Sequence, residues 1–131
     1  MVTIKSKREI ELMREAGRVT ALTHKAIEDA IKPGMTTADI DRIAEETMKK
    51  YGAVSAEKGY DPGIRGVPKF PASTCISVND EVIHGIPHKN LIIKDGDKTL
   101  IDQYSKEEDS ATQNHTKTLR KHPPQRKRQH T

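Results

Sequence analysis

Three side chains with useful chemistry lie in the second half of this 131-residue chain: Cys75, His84 and Asp102. Carboxylates and imidazoles are ligand types that hard and borderline divalent metals accept. Each residue also has an ordinary interpretation: a strand cysteine in the core, a partly buried structural histidine, and a turn or surface carboxylate. Tyr60, beside Gly59, is on its own a loop residue. Residue types alone leave both interpretations open, so the elements that position them must be considered.

The composition divides the chain at Asp102. Only 33% of residues are hydrophobic, 32% are charged, 3% are aromatic, and the formal net charge is +4. Residues 103–131 carry seven Lys and Arg against three acidic residues, so the first 102 residues are balanced. Residues 103–131 have three apolar side chains, too few to offset the entropy of ordering this part of the chain. The composition predicts one domain over residues 1–102 and a disordered basic tail over residues 103–131.

The sequence indicates a soluble cytoplasmic protein with no membrane partner. The single cysteine, Cys75, excludes an internal disulfide framework and fits a reducing compartment. No stretch approaches the roughly 20 apolar residues that span a bilayer. Charged residues between Lys5 and Glu11 interrupt any apolar run of a secretory signal.

Helix signals dominate the first fifty residues. Ser6 and Glu9 have the spacing of a capping box, and apolar residues then recur at helical spacing. This pattern predicts a helix from about Lys7 to Ala30, and a Pro-Gly pair at 33–34 prevents the helix from continuing. Thr36 or Thr37 is placed to cap a second helix that ends near Gly52.

Short apolar runs between turn residues follow, which is typical of strands. We predict strands at residues 74–78 and 81–84, joined by a turn at 79–80, and an extended segment at 91–94 that leads to a turn at 95–97. Two helices followed by strands indicate an α+β fold, with the helices covering one face of an antiparallel sheet.

Four segments resemble, in order and nearly at family spacing, the type I methionine aminopeptidases: residues 4–18, 31–37, 75–87 and 94–97. The resemblance covers the chain only as far as about residue 97, which corresponds to the front half of a family member. It implies the N-terminal half of the pita-bread fold, in which two similar halves close around a two-metal site. After residue 97 the pattern is lost, so we expect a truncated or frame-disrupted product.

The resemblance implies a metal site made of two Asp, one His and two Glu that holds two divalent ions (Co, Mn, Fe or Zn). Asp102 matches the first of these Asp ligands, although Lys98 and Thr99 stand where the family has apolar strand residues. Asp109 lacks the preceding Gly of the second Asp motif, and no tail histidine lies in a matching pattern. Metal binding by this chain is therefore expected to be incomplete.

The residues that the resemblance assigns to substrate binding are better preserved than the metal ligands. His84 matches the family histidine that contacts the scissile amide, which implies a role both in catalysis and in substrate binding. Tyr60, Phe70 and Cys75 match positions that line the pocket for the methionine side chain. Aromatic and sulfur surfaces pack well against a flexible thioether. An extra stretch at residues 62–68 separates Tyr60 from Phe70.

The leading hypothesis is a methionine aminopeptidase family protein, which removes N-terminal Met from nascent polypeptides by two-metal hydrolysis and is inactive as this chain. The alternative is a non-catalytic binding protein of the same fold that engages nascent chains or the ribosome. A third interpretation is an inert fragment that self-associates through an exposed apolar surface. The basic cluster at residues 126–128 has no stacking aromatics around it, so no specific nucleic acid is expected.

Overall fold

The computed structural model describes residues 4–107 and 114–121. The first helix, α1, spans Lys7–Ala30 and begins with the predicted capping box. The backbone N–H of Glu9 donates to Ser6 Oγ at 3.2 Å, and the Glu9 carboxylate accepts from the Ser6 N–H at 2.6 Å. Both donors would otherwise lack a partner at the helix start. The predicted bounds of this helix are confirmed.

The second helix, α2, spans Thr37–Lys50 and is capped by Thr36 through a second capping box with Asp39. The chain leaves α2 through Gly52, whose φ of +71° lies in the left-handed region that glycine adopts without strain. The helix and its cap are therefore set by local sequence, as the spacing predicts.

The two helices bury their apolar faces against the sheet in a single core. Its members are hydrophobic residues of both helices, the strands and one loop: Val19, Ile27, Ile40, Ala44, Met48, Ala53, Ile76, Val78, Ile93 and Ile101. Fully burying an aliphatic side chain of this kind stabilises the fold by about 1.5–3 kcal/mol. The expected α+β arrangement of two helices on an antiparallel sheet is confirmed.

Within the described residues the sheet has four strands: β1 at Ala53–Ser55, β2 at Cys75–Val78, β3 at Thr99–Glu107 and β4 at Asn114–Lys121. Strand β3 pairs with each of the other three, always antiparallel. Its first residues pair with β2 and its last residues with β1. The position of β3 therefore fixes every other strand.

The prediction of disorder from residue 103 onward is wrong for two segments, because β3 continues to Glu107 and β4 occupies Asn114–Lys121. Gln103 is wholly buried, and its side-chain Nε2 donates to Met48 Sδ at 3.0 Å. Backbone pairing satisfies N–H and C=O groups whatever the side chains are, and composition does not reveal it. The predicted disorder of residues 108–113 and 122–131 lies outside the described residues.

The predicted strand at residues 81–84 is also wrong, since this segment has no regular structure. The turn after β2 instead contacts the segment that leads into β3. The Asn79 N–H donates to the Lys98 carbonyl at 2.8 Å, and the Asn79 side chain bonds Asp97 and the Lys98 N–H. Residues 91–94 are extended as predicted: Ile93 exchanges hydrogen bonds with Gly34 and Met35 before the turn at 95–97.

Candidate functional site

Strand β2 brings two of the predicted site residues together. Cys75, at its start, lies directly opposite Asp102 of β3. Directly opposed residues of antiparallel strands place their side chains on the same face, with Cβ atoms about 4.5–5.5 Å apart. Cys75 is buried, and Asp102 is partly buried. The thiol and the carboxylate therefore belong to one site.

His84 lies beyond the opposite edge of β2. The Ile76 N–H, which points away from β3, donates to the Gly85 carbonyl at 2.8 Å. The Gly85 N–H donates to Ser77 Oγ at 3.0 Å. These two bonds fix the backbone that follows His84, and the His84 side chain is exposed. One four-residue strand thus connects Asp102, Cys75 and His84.

Tyr60 and Phe70 meet through their backbones despite the stretch between them. The Phe70 N–H donates to the Tyr60 carbonyl at 2.9 Å, and the Gly59 N–H donates to the Phe70 carbonyl at 2.8 Å. Residues 61–69 form a loop outside this closure. The extra stretch therefore does not move Tyr60 away from Phe70. The Tyr60 side chain is 59% exposed, so a ligand can reach its ring.

Glu57 adds a buried carboxyl group that the sequence analysis overlooked. Its side chain is only 8% exposed, and its two oxygens lack a well-formed hydrogen bond, although Cys75 lies close enough to interact with them. Burial, with the negative charges of Asp102 and Asp41, raises the pKa of Glu57 to about 8. Glu57 is therefore mainly protonated at neutral pH.

The Cys75 thiol lies in the same acidic surroundings. Burial, followed by the charges of Glu57 and Asp102, raises the pKa of Cys75 to about 12. The thiolate is the reactive form of cysteine, so a thiol held protonated at neutral pH is a poor nucleophile. At neutral pH the Cys75 thiol is therefore suited to lining a pocket and is a poor nucleophile.

His24 of α1 lies close enough to Asp102 for the carboxylate charge to affect its pKa. It is 6% exposed, and burial lowers its pKa, while the negative charge of Asp102 acts in the opposite direction. Among the described residues, no group of three or more His, Cys, Asp and Glu side chains is arranged to hold a metal ion. Asp102 remains a single predicted ligand, and Asp109 and the histidines at 122 and 130 lie outside the described residues.

Asp41 of α2 positions the segment that leads into β2. Its carboxylate accepts hydrogen bonds from the Ser73 N–H at 3.0 Å, the Thr74 N–H at 2.8 Å and Thr74 Oγ1 at 2.7 Å. Burial still raises the pKa of Asp41 more than these bonds lower it. This contact links residues more than thirty positions apart, and helical spacing gave no signal for it.

The described part of the chain also contains a cavity of about 310 Å³ between α2 and β1. Its lining includes Met48, Ala53, Lys58 and Ser73, and none of the predicted site residues. This cavity therefore does not represent the predicted pocket. Neither α1 nor α2 is long and apolar enough to cross a bilayer.

Comparison with known proteins gives a consistent result. The model of a family described as metallopeptidase family M24 matches residues 11–130. A methionine aminopeptidase of Clostridium acetobutylicum is 48% identical over 102 residues, and methionine aminopeptidase 1 of Bacillus subtilis is equally similar over the same length. These matches cover 78% of this chain but only 38% of each relative. The chain thus spans well under half the length of these relatives.

Solved structures agree. Methionine aminopeptidase from Thermotoga maritima superposes with a TM-score of 0.74 at 35% identity, covering 82% of this chain and 41% of that one. An X-Pro aminopeptidase from the same organism superposes with a TM-score of 0.67 at 20% identity, covering 93% of this chain and 31% of the aminopeptidase. At this identity the match supports the fold alone. The described arrangement is the pita-bread fold, as the sequence predicts, over part of its length.

Proposed function

The chain belongs to metallopeptidase family M24, and from that membership we propose that it forms the substrate-recognition side of a methionine aminopeptidase. Proteins of that name are its relatives at 48% identity. The proposed substrate is the N-terminal Met of a nascent polypeptide, and the proposed location is the cytoplasm.

The observation that carries this proposal is the placement of three predicted site residues around β2. Cys75 faces Asp102 across the β2–β3 pair, and the Gly85 backbone holds His84 against the other edge. In the proposed complex, His84 contacts the scissile amide. Cys75, kept neutral by its raised pKa, contributes an uncharged surface to the side-chain pocket. Because the Phe70 N–H donates to the Tyr60 carbonyl, these two aromatic residues lie close enough to contribute to the same pocket.

Membership of a metallopeptidase family implies divalent metal ions, and we propose two ions of the Co, Mn, Fe or Zn type for the complete site. When bound, such ions activate water and polarise a carbonyl. The described residues do not fit this group by themselves, since Asp102 is the one predicted ligand among them and no group of three or more of their His, Cys, Asp and Glu side chains is arranged to hold an ion. We therefore derive no hydrolytic step from this chain, and we expect peptide binding without release of Met.

Calorimetric titration tests the proposal. The full chain is titrated with Mn²⁺, with a Met-Ala-Ser peptide, and with Gly-Ala-Ser, which lacks the methionine side chain. We expect saturable heat for Met-Ala-Ser only, and no free Met after incubation. His84→Ala should weaken peptide binding by about tenfold, the value of one good hydrogen bond.

Tyr51→Ala is the matched control. Tyr51 is an exposed aromatic residue beside Arg18 and Lys50, and it is not among the proposed site residues. Its loss should leave peptide affinity unchanged. Equal binding of Met-Ala-Ser and Gly-Ala-Ser would overturn the proposed pocket, while Mn²⁺-dependent release of Met would mean that other residues of this chain complete the metal site.

A hybrid chain tests the catalytic part separately. Residues 1–102 are joined to the remaining portion of the Clostridium acetobutylicum relative, which is 48% identical over the matched region. We expect metal-dependent release of Met from Met-Ala-Ser and its loss in the Asp102→Asn hybrid. An inactive hybrid that nevertheless folds and binds metal would remove the assigned role of His84.

A non-catalytic binding protein is the second candidate. The supporting observation is that Cys75 and the backbone that follows His84 both lie on β2, while the described residues supply a single predicted ligand. Co-sedimentation with ribosomes at low and high salt tests it, with deletion of residues 122–131 removing the basic cluster but neither β3 nor β4. Association that disappears in the deletion supports this candidate. No association at low salt removes it.

A further inference from the structure

The His84–Gly85 backbone has an unusual conformation that the rest of the fold maintains. His84 has a φ of +56°, and Asn79 is the other non-glycine residue with positive φ in the described part of the chain. Such a conformation crowds the Cβ atom of an L-amino acid, so it persists only where surrounding contacts impose it. Asn79 has a local explanation, because its side chain bonds the 97–98 turn. His84 needs a different one.

The first contact that imposes this conformation is steric. A Cβ atom added at Gly85 would lie 2.1 Å from the Ile76 carbonyl oxygen and 2.9 Å from Ser77 Cα. Both of these atoms belong to the backbone of β2, which cannot move aside cheaply. Gly85 has no positive φ, so glycine is required here for space and not for conformation. The chain after His84 therefore lies directly against β2.

The second contact is a hydrogen bond from the side chain of Ser77. Ser77 is 3% exposed, and its Oγ accepts from the Gly85 N–H at 3.0 Å. The neighbouring Ile76 N–H binds the Gly85 carbonyl at 2.8 Å. Both polar backbone groups of Gly85 are thus satisfied by adjacent residues of β2. Of these two bonds, only the one to Ser77 depends on a side chain.

We infer that Ser77 is a positioning residue for His84: its hydroxyl oxygen fixes the Gly85 amide against β2 and thereby sets the direction from which the imidazole reaches the substrate. Ser77 does not touch the substrate in this arrangement. The functional part of the inference rests on the proposed role of His84, whereas the structural part does not. Removing the hydroxyl should release Gly85 while the Ile76 bond still retains the loop near β2.

Ser77→Ala tests the inference, and the chain offers a matched control. Ser73, on the segment just before β2, is 1% exposed, and its hydroxyl has no hydrogen-bond partner within the described residues. Ser73→Ala therefore removes a buried serine hydroxyl of the same kind without disturbing Gly85. Ser77→Thr retains a hydroxyl oxygen and serves as the rescue variant. Ser77→Cys, with a weakly accepting sulfur of similar size, covers the case in which Ser77→Ala fails to fold.

The readout is NMR spectroscopy of the full labelled chain without peptide. We expect Ser77→Ala to speed hydrogen exchange of the Gly85 amide by about tenfold, the effect of losing one hydrogen bond. The His84 backbone coupling constant and ring signals should shift with it. Ser77→Cys should give a smaller change of the same kind, Ser77→Thr should restore the wild-type values, and Ser73→Ala should leave them unaltered. Unchanged Gly85 exchange and His84 signals in the folded Ala or Cys variant would overturn the inference.

Peptide binding separates this inference from the proposed function. If the wild-type chain binds Met-Ala-Ser, Ser77→Ala should weaken binding in the presence of His84 but have no further effect in the His84→Ala background. Additive losses would mean that Ser77 acts independently of His84, against the inference. If the wild-type chain binds no peptide, the proposed function fails, yet the NMR comparison still decides whether Ser77 positions His84.

Discussion

The helical layer and the segments that carry the candidate site residues are stabilised in different ways. Helices α1 and α2 have capping boxes and bury a continuous apolar face against the sheet. The segments around Tyr60 and His84 expose large apolar side chains, such as Ile83 at 58%. Hydrogen bonds hold them: backbone bonds close the Tyr60 segment, and the Ser77 hydroxyl binds the residue after His84. Apolar packing secures the scaffold, while a few polar side chains define the position of the site.

The largest effect should follow from breaking the helical layer. Ile40 of α2 is 0% exposed, so Ile40→Ala leaves a cavity in the core and should lower the free energy of unfolding by about 2–5 kcal/mol. Ile83→Ala, the same substitution in the site segment, should change it by less than about 0.5 kcal/mol. Urea denaturation measures both. Comparable losses would mean that Ile83 is covered in solution, and the contrast between the two regions would not hold.

The next largest effect should come from the anchor between α2 and β2. Asp41→Ala leaves the Ser73 and Thr74 backbone N–H groups without their acceptor and should cost about 3 kcal/mol. Asp41→Asn keeps one acceptor oxygen and should cost clearly less. Urea denaturation gives the total loss, and hydrogen exchange of the Thr74 amide localises it. An Asp41→Ala chain with wild-type Thr74 protection would contradict the anchoring role.

A pH-dependent effect should distinguish the buried Glu57 from the exposed carboxylates of the helices. Its pKa is raised from 4.5 to about 8, so the folded state retains a proton that the unfolded state releases over this range. Unfolding then releases a proton, so the contribution of Glu57 to the free energy of unfolding falls as pH rises from about 4.5 to 8. Glu57→Gln removes the dependence. Glu57→Gln should match the wild type near pH 5 and exceed its free energy of unfolding at pH 8 by on the order of 3 kcal/mol.

Glu46→Gln is the control for this measurement, because Glu46 is exposed and pairs with Arg42 at 3.2 Å. Its pH profile of stability should parallel that of the wild type, as exposed ion pairs contribute little. Thermal or urea unfolding across pH 5–8 compares the three chains. Parallel profiles for the wild type and Glu57→Gln would show that Glu57 is ionised and solvated in the folded state.

The smallest effect should come from the local signals at the start of α1. Ser6→Ala removes the cap on the Glu9 N–H and should cost about 1 kcal/mol. Glu11→Gln, which disrupts an exposed ion pair with Arg14 in the same helix, should have less than half that effect. Urea denaturation of the two variants provides the comparison. A larger loss for Glu11→Gln would mean that surface charge, and not the capping box, stabilises the helix start.

The helices could be predicted because their signals are local. Ser6 and Glu9 are three residues apart, and the apolar stripe of α1 repeats every turn, so the sequence specifies both. The candidate residues Tyr60, Phe70, Cys75, His84 and Asp102 were assigned by resemblance, and their catalytic, binding and metal-ligand roles stay predictions. Glu57 was missed because nothing in its local sequence distinguishes a buried carboxyl group from a surface one.

By itself, the sequence determined both helices, their caps, the turn at 95–97 and the family resemblance. Only the tertiary structure decided that β2 pairs with residues after Lys98, that β3 runs beyond Asp102, and that Glu57, Cys75 and Asp102 share one environment. Strand pairing joins residues distant in sequence through backbone groups that every residue carries, so side-chain composition cannot specify the partner. The position of His84 follows from the same cause, because it depends on how closely Gly85 approaches β2.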